Sequence, residues 1–450
     1  MSGAEERSPQ ELADAVVEAV GDRAEAQVTV ARTRHGLTRF ANSFIHQHVG
    51  EDTTSVWLTL AIDGRVVSAS TADVGREALE RLVETTVAAA RLGPVDPGWP
   101  GLAPPQEPVV TDRVDEPTLT ASPEERVAEV AAFVDAASDL RAAGYVDSAG
   151  SWSAFANSAG QRLAGCSTSA SLDGIHQTPT SAGSAHQTSR RLADLDGAAA
   201  GALAGDIARR AREATDVDPG DYEVVLGPDA VATLAGFVGF YGFNAQAWLD
   251  GQSFVRLDEP QLDPALTLLD DPTDPATVGA PFDAEGTPRQ RTVLVGAGTS
   301  VALLHDRRTA AAVGDGARST GNAVPGGAGV GAFPADLVVE GGATPADELV
   351  AGIERGLWVN QFHYCRVLDP RNLVVTGLTR NGTFLIEDGR IAGAVGNLRF
   401  TQSFVGALAP GRVRGVGDDV RYGRAESGIG TVRAPSLRLA GWRFTGGARG

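Results

Sequence analysis

The sequence predicts an α+β protein in two domains, a mixed α/β N-terminal domain over residues 1–217 and a β-rich C-terminal domain over 218–450. Helical stripes alternate with strand-like runs in the first half. Tight-turn dipeptides between apolar runs dominate the second half, and Val217-Asp218-Pro219-Gly220 separates the two. A chain of 450 residues exceeds what one core ordinarily organises, so two domains are the default expectation.

Residues 9–20 read as a helix, and 24–32 and 37–48 as strands. Val56, Leu58, Leu60 and Ile62 alternate with mostly polar partners, and Asp63-Gly64 supplies the positive φ angles of a hairpin turn. Asp73 is placed to cap a helix whose Leu79, Leu82, Val83, Thr86, Val87 and Ala90 form one stripe. Residues 93–120 are proline-rich and read as a surface connection. Ser122-Pro123-Glu124-Glu125 is a capping box, followed by a buried face of Val127, Val130, Phe133, Val134, Ala137 and Leu140. Strands are expected at 151–156 and 163–172, then an Ala-rich helix at 196–214. Beyond the boundary, helices are expected at 228–243 and 345–356, and strands at 291–295 and 300–305 around Gly296-Ala297-Gly298. Strands at 373–379, 383–387 and 390–395, divided by Asn381-Gly382 and Asp388-Gly389, read as a three-stranded meander. No short-period repeat is present, which excludes solenoids and propellers.

Composition narrows the function. Basic residues number 38 against 57 acidic ones, a net charge of −19 that argues against nucleic-acid binding. Every basic residue is arginine, so Schiff-base, Ser-Lys and P-loop lysine chemistry is excluded. Two cysteines, Cys166 and Cys365, cannot form a disulfide framework. With no apolar segment near Met1, a cytoplasmic location is expected. Residues 230–249 are uncharged over about a membrane span, but their glycines and amides favour a buried helix and loop over any membrane partner.

None of the seven histidines is followed by glutamate, so no His-Glu-x-x-His zinc helix exists. His46 and His48 sit two apart on a strand and read as a polar exposed face. Gly-x-Ser-x-Gly and Walker A patterns are absent, and Gly327, Gly329 and Gly331 read as a loop. Cys365 with His363 is a nucleophile candidate, since residues two apart on a strand point the same way and an imidazole beside a thiol promotes thiolate formation. A buried structural cysteine is the plainer reading. Arg380 and Arg399 are candidates for gripping a carboxylate through the guanidinium fork, against a plainer reading as solvated surface side chains.

Several segments, in order, resemble signatures of the TldD/PmbA peptidase family. They are Arg39-Phe40-Ala41-Asn42 with Ile45, Asn157-Ser158-Ala159-Gly160, the strand-to-helix junction from Tyr222 to Ala230, and Phe282-Asp283-Ala284-Glu285-Gly286-Thr287-Pro288. Ser319-Thr320-Gly321-Asn322-Ala323, the run from Gly377 to Gly389 and Asn397-Leu398-Arg399-Phe400 complete the set. The family has two kinds of subunit. TldD-type chains carry zinc on a helix bearing His-Glu and a second histidine five positions after the first, with a later cysteine as third ligand. TldE-type chains lack the motif and pair with a TldD partner. Counted from Pro228, Gly236 and Tyr241 stand at the histidine positions and Phe237 at the glutamate.

The resemblance therefore implies a TldE-type chain with an antiparallel, barrel-like C-terminal domain and no catalytic residue or metal of its own. Zinc is expected in a TldD-type partner. Together they would form a heterodimeric metallopeptidase acting on unfolded or modified peptides, as in peptide maturation. Asn322, Tyr364, Arg380 and Arg399 are the substrate-binding candidates. The alternatives are an autonomous metal-free amidase using Cys365 with His363, or a homodimeric scaffold or binding protein.

Overall fold

The computed structural model describes residues 7–107, 113–326, 329–426 and 430–447. The first half contains α1 (Pro9–Val20), β1 (Glu25–Ala41), β2 (Phe44–Ile62), β3 (Arg65–Thr71), α2 (Arg76–Leu92), α3 (Glu116–Leu119) and α4 (Pro123–Asp135). It ends with β4 (Arg141–Asn157), β5 (Arg162–Gln177), β6 (Ala182–Ser189) and α5 (Gly197–Arg210). The strands form one antiparallel sheet in the order β3-β2-β1-β4-β5-β6.

Side chains alternate along these strands, so the sheet has two distinct faces. On one face, α1 and α2 pack over Val28, Val30, Val56, Leu58 and Leu60 at one end. At the other end α4 and α5 cover Phe40, Val146, Ala170 and Leu172. The opposite face meets the second half of the chain: Thr29 Oγ1 donates to the Ala284 carbonyl at 3.0 Å, and Phe155 and Leu163 pack on Phe282.

The second half adds β7 (Gly220–Leu226), α6 (Pro228–Phe243), α7 (Ala245–Leu249), β8 (Leu268–Asp270), β9 (Thr292–Gly296), β10 (Thr299–Ser300), α8 (Arg307–Val313) and β11 (Asp336–Val339). These are followed by β12 (Arg355–Asp369), β13 (Val374–Glu387), β14 (Arg390–Ala394), β15 (Leu398–Ser403), α9 (Phe404–Ala407), β16 (Val413–Val416), β17 (Arg421–Tyr422), β18 (Thr431–Ala434) and β19 (Leu437–Gly447). Strands β12-β7-β19-β15-β13 close into a five-stranded barrel because β13 pairs back onto β12. All its pairings are antiparallel except β7 with β12. Phe362, Phe400 and Trp442 stack inside, against Phe404 of α9. A second sheet, β10-β9-β8-β11-β18-β17, lies beside the barrel, and α6 is wedged in the shared core. The α+β class and barrel-like second half thus match the expectation.

Several local expectations need correction. The strand expected over 37–48 contains a chain reversal at Asn42 (φ 50°) and Ser43 (φ 64°), which Ser43 pins by donating its N–H to the Ala142 carbonyl and accepting the Ala142 N–H on its Oγ. Asp73 caps Gly75 rather than the helix, whose own N-cap is Gly75. The strands expected at 151–156 and 163–172 run over Arg141–Asn157 and Arg162–Gln177, and β6 was not anticipated. The expected helix at 345–356 is a single 3-10 turn, Ala346–Val350, because pairing with β7 claims the chain from Gly356. Of the strand expected at 300–305, only Ser300 pairs within a strand. Gly327 lies outside the described residues.

The meander is half correct. Asp388-Gly389 is a hairpin turn, with Glu387 opposite Arg390. Asn381-Gly382 instead forms a bulge inside the continuous 14-residue β13. There Asn360 Nδ2 donates to the Asn381 carbonyl at 3.0 Å, so pairing with β12 carries the chain onward.

Gly382 has φ 117°, and a Cβ there would lie 2.8 Å from Ile207 Cγ2, whereas Gly393 faces open space. Gly382→Val should therefore lower stability by about 2 kcal/mol or more, while Gly393→Ala changes it little. Urea denaturation of both variants checks this; equal midpoints would refute strain at the bulge.

Candidate functional site

A cavity of about 600 Å³ lies between the first sheet and the barrel, lined among others by Asp173, Gln361, His363, Arg380, Asn397 and Arg424. Its position follows from α6. Asp229, in the first turn, accepts from the Arg424 N–H at 2.9 Å and from Arg421 through both oxygens at 3.1 and 3.2 Å. Thr233, one turn on, accepts from the Glu426 N–H at 3.2 Å. The segment from Arg421 to Glu426 is thereby strapped along the helix and delivers two charged side chains to the cavity region.

Glu426 accepts from His363 Nδ1 at 3.1 Å and from the Tyr364 N–H at 2.8 Å. Arg380 Nη1 reaches His363 Nε2 at 2.5 Å. Arginine can only donate, so in this chain of contacts His363 accepts through Nε2 and donates from Nδ1 to Glu426. Arg424 continues to the buried Asp173 at 3.3 Å, which also faces His186 Nδ1 at 3.4 Å. The result is a polar wall of two guanidiniums, an oriented imidazole and the amides of Gln361 and Asn397. It suits recognition of carboxylates and peptide groups.

A bulge makes this arrangement possible. Tyr364 has φ 55°, and the β12 register shifts between His363 and Arg366. His363 consequently faces the cavity while Cys365 turns into the barrel, 2% exposed, where burial first and Glu426 second push its thiol up to about 12. The expectation that His363 and Cys365 share one side of a strand is overturned. Cys365 is a core thiol, unsuited to nucleophilic attack.

The four substrate-binding candidates separate. Arg380 lines the cavity. Tyr364 is 61% exposed beside it, with Arg366 held 4.5 Å over its ring. Arg399 is exposed on β15 and does not line the cavity. Asn322 is buried and donates to Asp270 at 2.7 Å and to the Phe333 carbonyl at 2.9 Å, which makes it a brace between loops. Asp173, Gln361, Arg424 and Glu426 escaped sequence reasoning. No local pattern marks them, because strands and a strap from distant parts of the chain bring them together.

The helix positions for metal ligands hold packing groups instead. Phe237 packs on Phe404 and Tyr241, and Phe240 stacks on Phe333 with ring centroids 4.9 Å apart. Gly236, Phe237 and Tyr241 offer neither imidazole nor carboxylate, so these residues do not fit a catalytic zinc ion. Among the described residues, no three or more His, Cys, Asp or Glu side chains group as a metal site. Among the described residues, no helix is long and apolar enough to cross a membrane.

The Asp283-Ala284-Glu285-Gly286 segment serves architecture. Asp283 is buried and accepts from the backbone N–H groups of Ala323, Glu285 and Thr287. Glu285 accepts from the Arg307 N–H at 2.8 Å; burial first, then the Asp283 charge, push its carboxyl up to about 8.

Residues 219–446 match the family described as PmbA/TldA metallopeptidase C-terminal domain. The fold is similar to that of TldE from Thermococcus kodakarensis, with TM-score 0.87 and 18% identity over 96% of this chain and 99% of that one. A metalloprotease of Methanothermobacter thermautotrophicus is 27% identical over 229 residues, 50% of this chain and 48% of the relative. A metalloprotease of Archaeoglobus fulgidus is 41% identical over 111 residues, 24% of this chain and 26% of the relative. The chain thus spans about half the length of the first of these relatives and about a quarter of the second.

Two outcomes follow from the burial pattern. In the folded protein at pH 8, a thiol reagent should label Cys166 and leave Cys365 unmodified, with both reacting in denaturant; fast native labelling of Cys365 in a Cys166→Ser variant would contradict its placement. Glu285 keeps in the folded state a proton that the unfolded chain loses near 4.5. Its contribution to stability is complete below that pH and is lost as pH rises towards 8. Glu285→Gln should therefore gain relative to the parent between pH 5 and pH 8.5, by on the order of a few kcal/mol. A stability difference independent of pH would show that this carboxyl titrates normally.

Proposed function

The chain belongs to the TldD/PmbA metallopeptidase family, and from that premise we propose that it is the TldE-type, non-catalytic subunit of a heterodimeric zinc peptidase. In this reading a TldD-type partner supplies the zinc and the water-activating carboxylate. This chain contributes one wall of the substrate cavity, with Arg380 and Arg424 binding acidic or C-terminal groups of unfolded or modified peptides in the cytoplasm. One observation carries the reading: on α6, Gly236, Phe237 and Tyr241 stand at the ligand positions, and the helix is packed by aromatic rings. The barrel beside α6 gives the proposed complex a rigid wall, and the polar cavity at His363 provides hydrogen-bonding groups.

The experiment compares the isolated chain with the chain co-expressed with a TldD-type protein. The chain alone should hold no stoichiometric zinc and leave an unstructured peptide intact. The co-purified pair should cleave that peptide, and a chelator should stop it. One tightly bound zinc per isolated chain with chelator-sensitive cleavage would overturn the proposal, as would failure to associate with the TldD-type chain.

A further inference from the structure

A second cavity, of about 500 Å³, opens on the helix-covered face of the first sheet, at strand positions between the α1–α2 and α4–α5 layers. Its floor is nearly bare backbone. Gly36 of β1 pairs with Gly50 of β2, and on the other side with Ser148 of β4. A Cβ on Gly50 would meet nothing within 4 Å, so the space above it is open.

One wall is Arg126 of α4, only 4% exposed. A Cβ on Gly36 would fall 2.6 to 2.8 Å from Nη1, Cζ and Nη2, which means the guanidinium lies flat against the strand where only glycine leaves room. Its Nε reaches Thr38 Oγ1 at 3.4 Å, and Nη1 donates to the Ala121 carbonyl at 3.1 Å and Ser148 Oγ at 3.0 Å. Among the described residues, no carboxylate pairs with Arg126 and Nη2 has no hydrogen-bond partner. Buried arginines are ordinarily paired, because an uncompensated charge is expensive to desolvate.

Of the three acidic residues that act on Arg126 through space, Glu124 is exposed to solvent in the first turn of α4, and the other two are committed elsewhere. Asp147 accepts from the Ser171 N–H at 3.0 Å and hydroxyl at 2.7 Å, and faces His35 at 3.1 Å. Glu125 closes the cap of α4 on the Ser122 N–H at 2.7 Å. Across the cavity, Asp52 holds Arg32 at 2.7 Å and Arg34 at 2.9 Å, and Arg34 stays half exposed at that edge. Glu51, the other acidic residue lining the cavity, belongs to the alternate set of side chains along β2.

We propose that this cavity is an oxyanion-binding site, in which a carboxylate or phosphate group is held by the Arg126 guanidinium over the Gly36–Gly50 floor, with Arg34 at its mouth. The Nη2 group, with two N–H donors not taken up by the protein, matches either anion, and the open floor admits the group that carries it. The site is separate from the cavity at His363 and needs no partner subunit.

Calorimetric titration of the intact chain with glutarate, and separately with inorganic phosphate, tests this. Saturable binding of at least one is expected, and which one binds identifies the source of the anion. Gly50→Leu fills the open floor without touching the hydrogen bonds of Arg126, and should weaken binding by about tenfold or more. Arg126→Met, provided it folds, should abolish it. No saturable binding of either anion, parental affinity in Gly50→Leu, or binding retained in folded Arg126→Met would each overturn the proposal.

Discussion

The carboxylate of Asp229 joins three parts of the molecule that are distant in sequence. It sits in the first turn of α6, 2% exposed, where a negative charge complements the helix dipole. It takes up Arg421 and the Arg424 N–H, and Thr233 above it takes up the Glu426 N–H. From this anchor Arg424 reaches Asp173 in the first sheet, and Glu426 orients His363 on the barrel. A buried ion pair of this kind adds little net stability over an apolar contact, yet it specifies a single arrangement. Here it fixes how helix, strap, barrel and sheet meet, and with them the shape of the cavity.

Buried aspartates perform a similar task where regular structure is sparse. Asp270 accepts from the Ala335 and Asp336 N–H groups, Asp263 from Gly411 and Val413, and Asp283 from three further amides. Backbone donors in buried loops must find acceptors, and a carboxylate can satisfy several at once. Asp336 adds charge by holding Arg433 at 2.8 Å. This explains how long irregular stretches between residues 250 and 336 stay ordered against the sheet. It also explains why an acidic chain gains structure from carboxylates that a composition count reads only as solubility.

The helix α6 is built for packing on all sides. Close approach is provided by glycines: a Cβ on Gly239 would strike Leu337, and one on Gly242 would strike Phe254. Aromatic rings then fill the remaining volume, so the helix is a wedge between the barrel and the second sheet. Within the proposed complex, such a wedge gives mechanical support to the cavity wall, and the reactive groups reside in the partner.

The sequence by itself determined the helices with caps and stripes, the Asp63-Gly64 and Asp388-Gly389 turns, the α+β class and the apolar character of α6. Each of these rests on interactions within a few residues, or on the period of a single element. Tertiary structure alone decided the rest. Asn381-Gly382 has the composition of a turn, but pairing along β12 makes it a bulge. A strand pattern put Cys365 beside His363, until the left-handed Tyr364 sent them to opposite sides. Arg126 looks like a surface arginine in a linear reading but is buried, and Asn322 looks like a ligand-binding amide. Burial and partners are set by elements outside the local stretch, and a one-dimensional pattern carries no information about which of them will be neighbours.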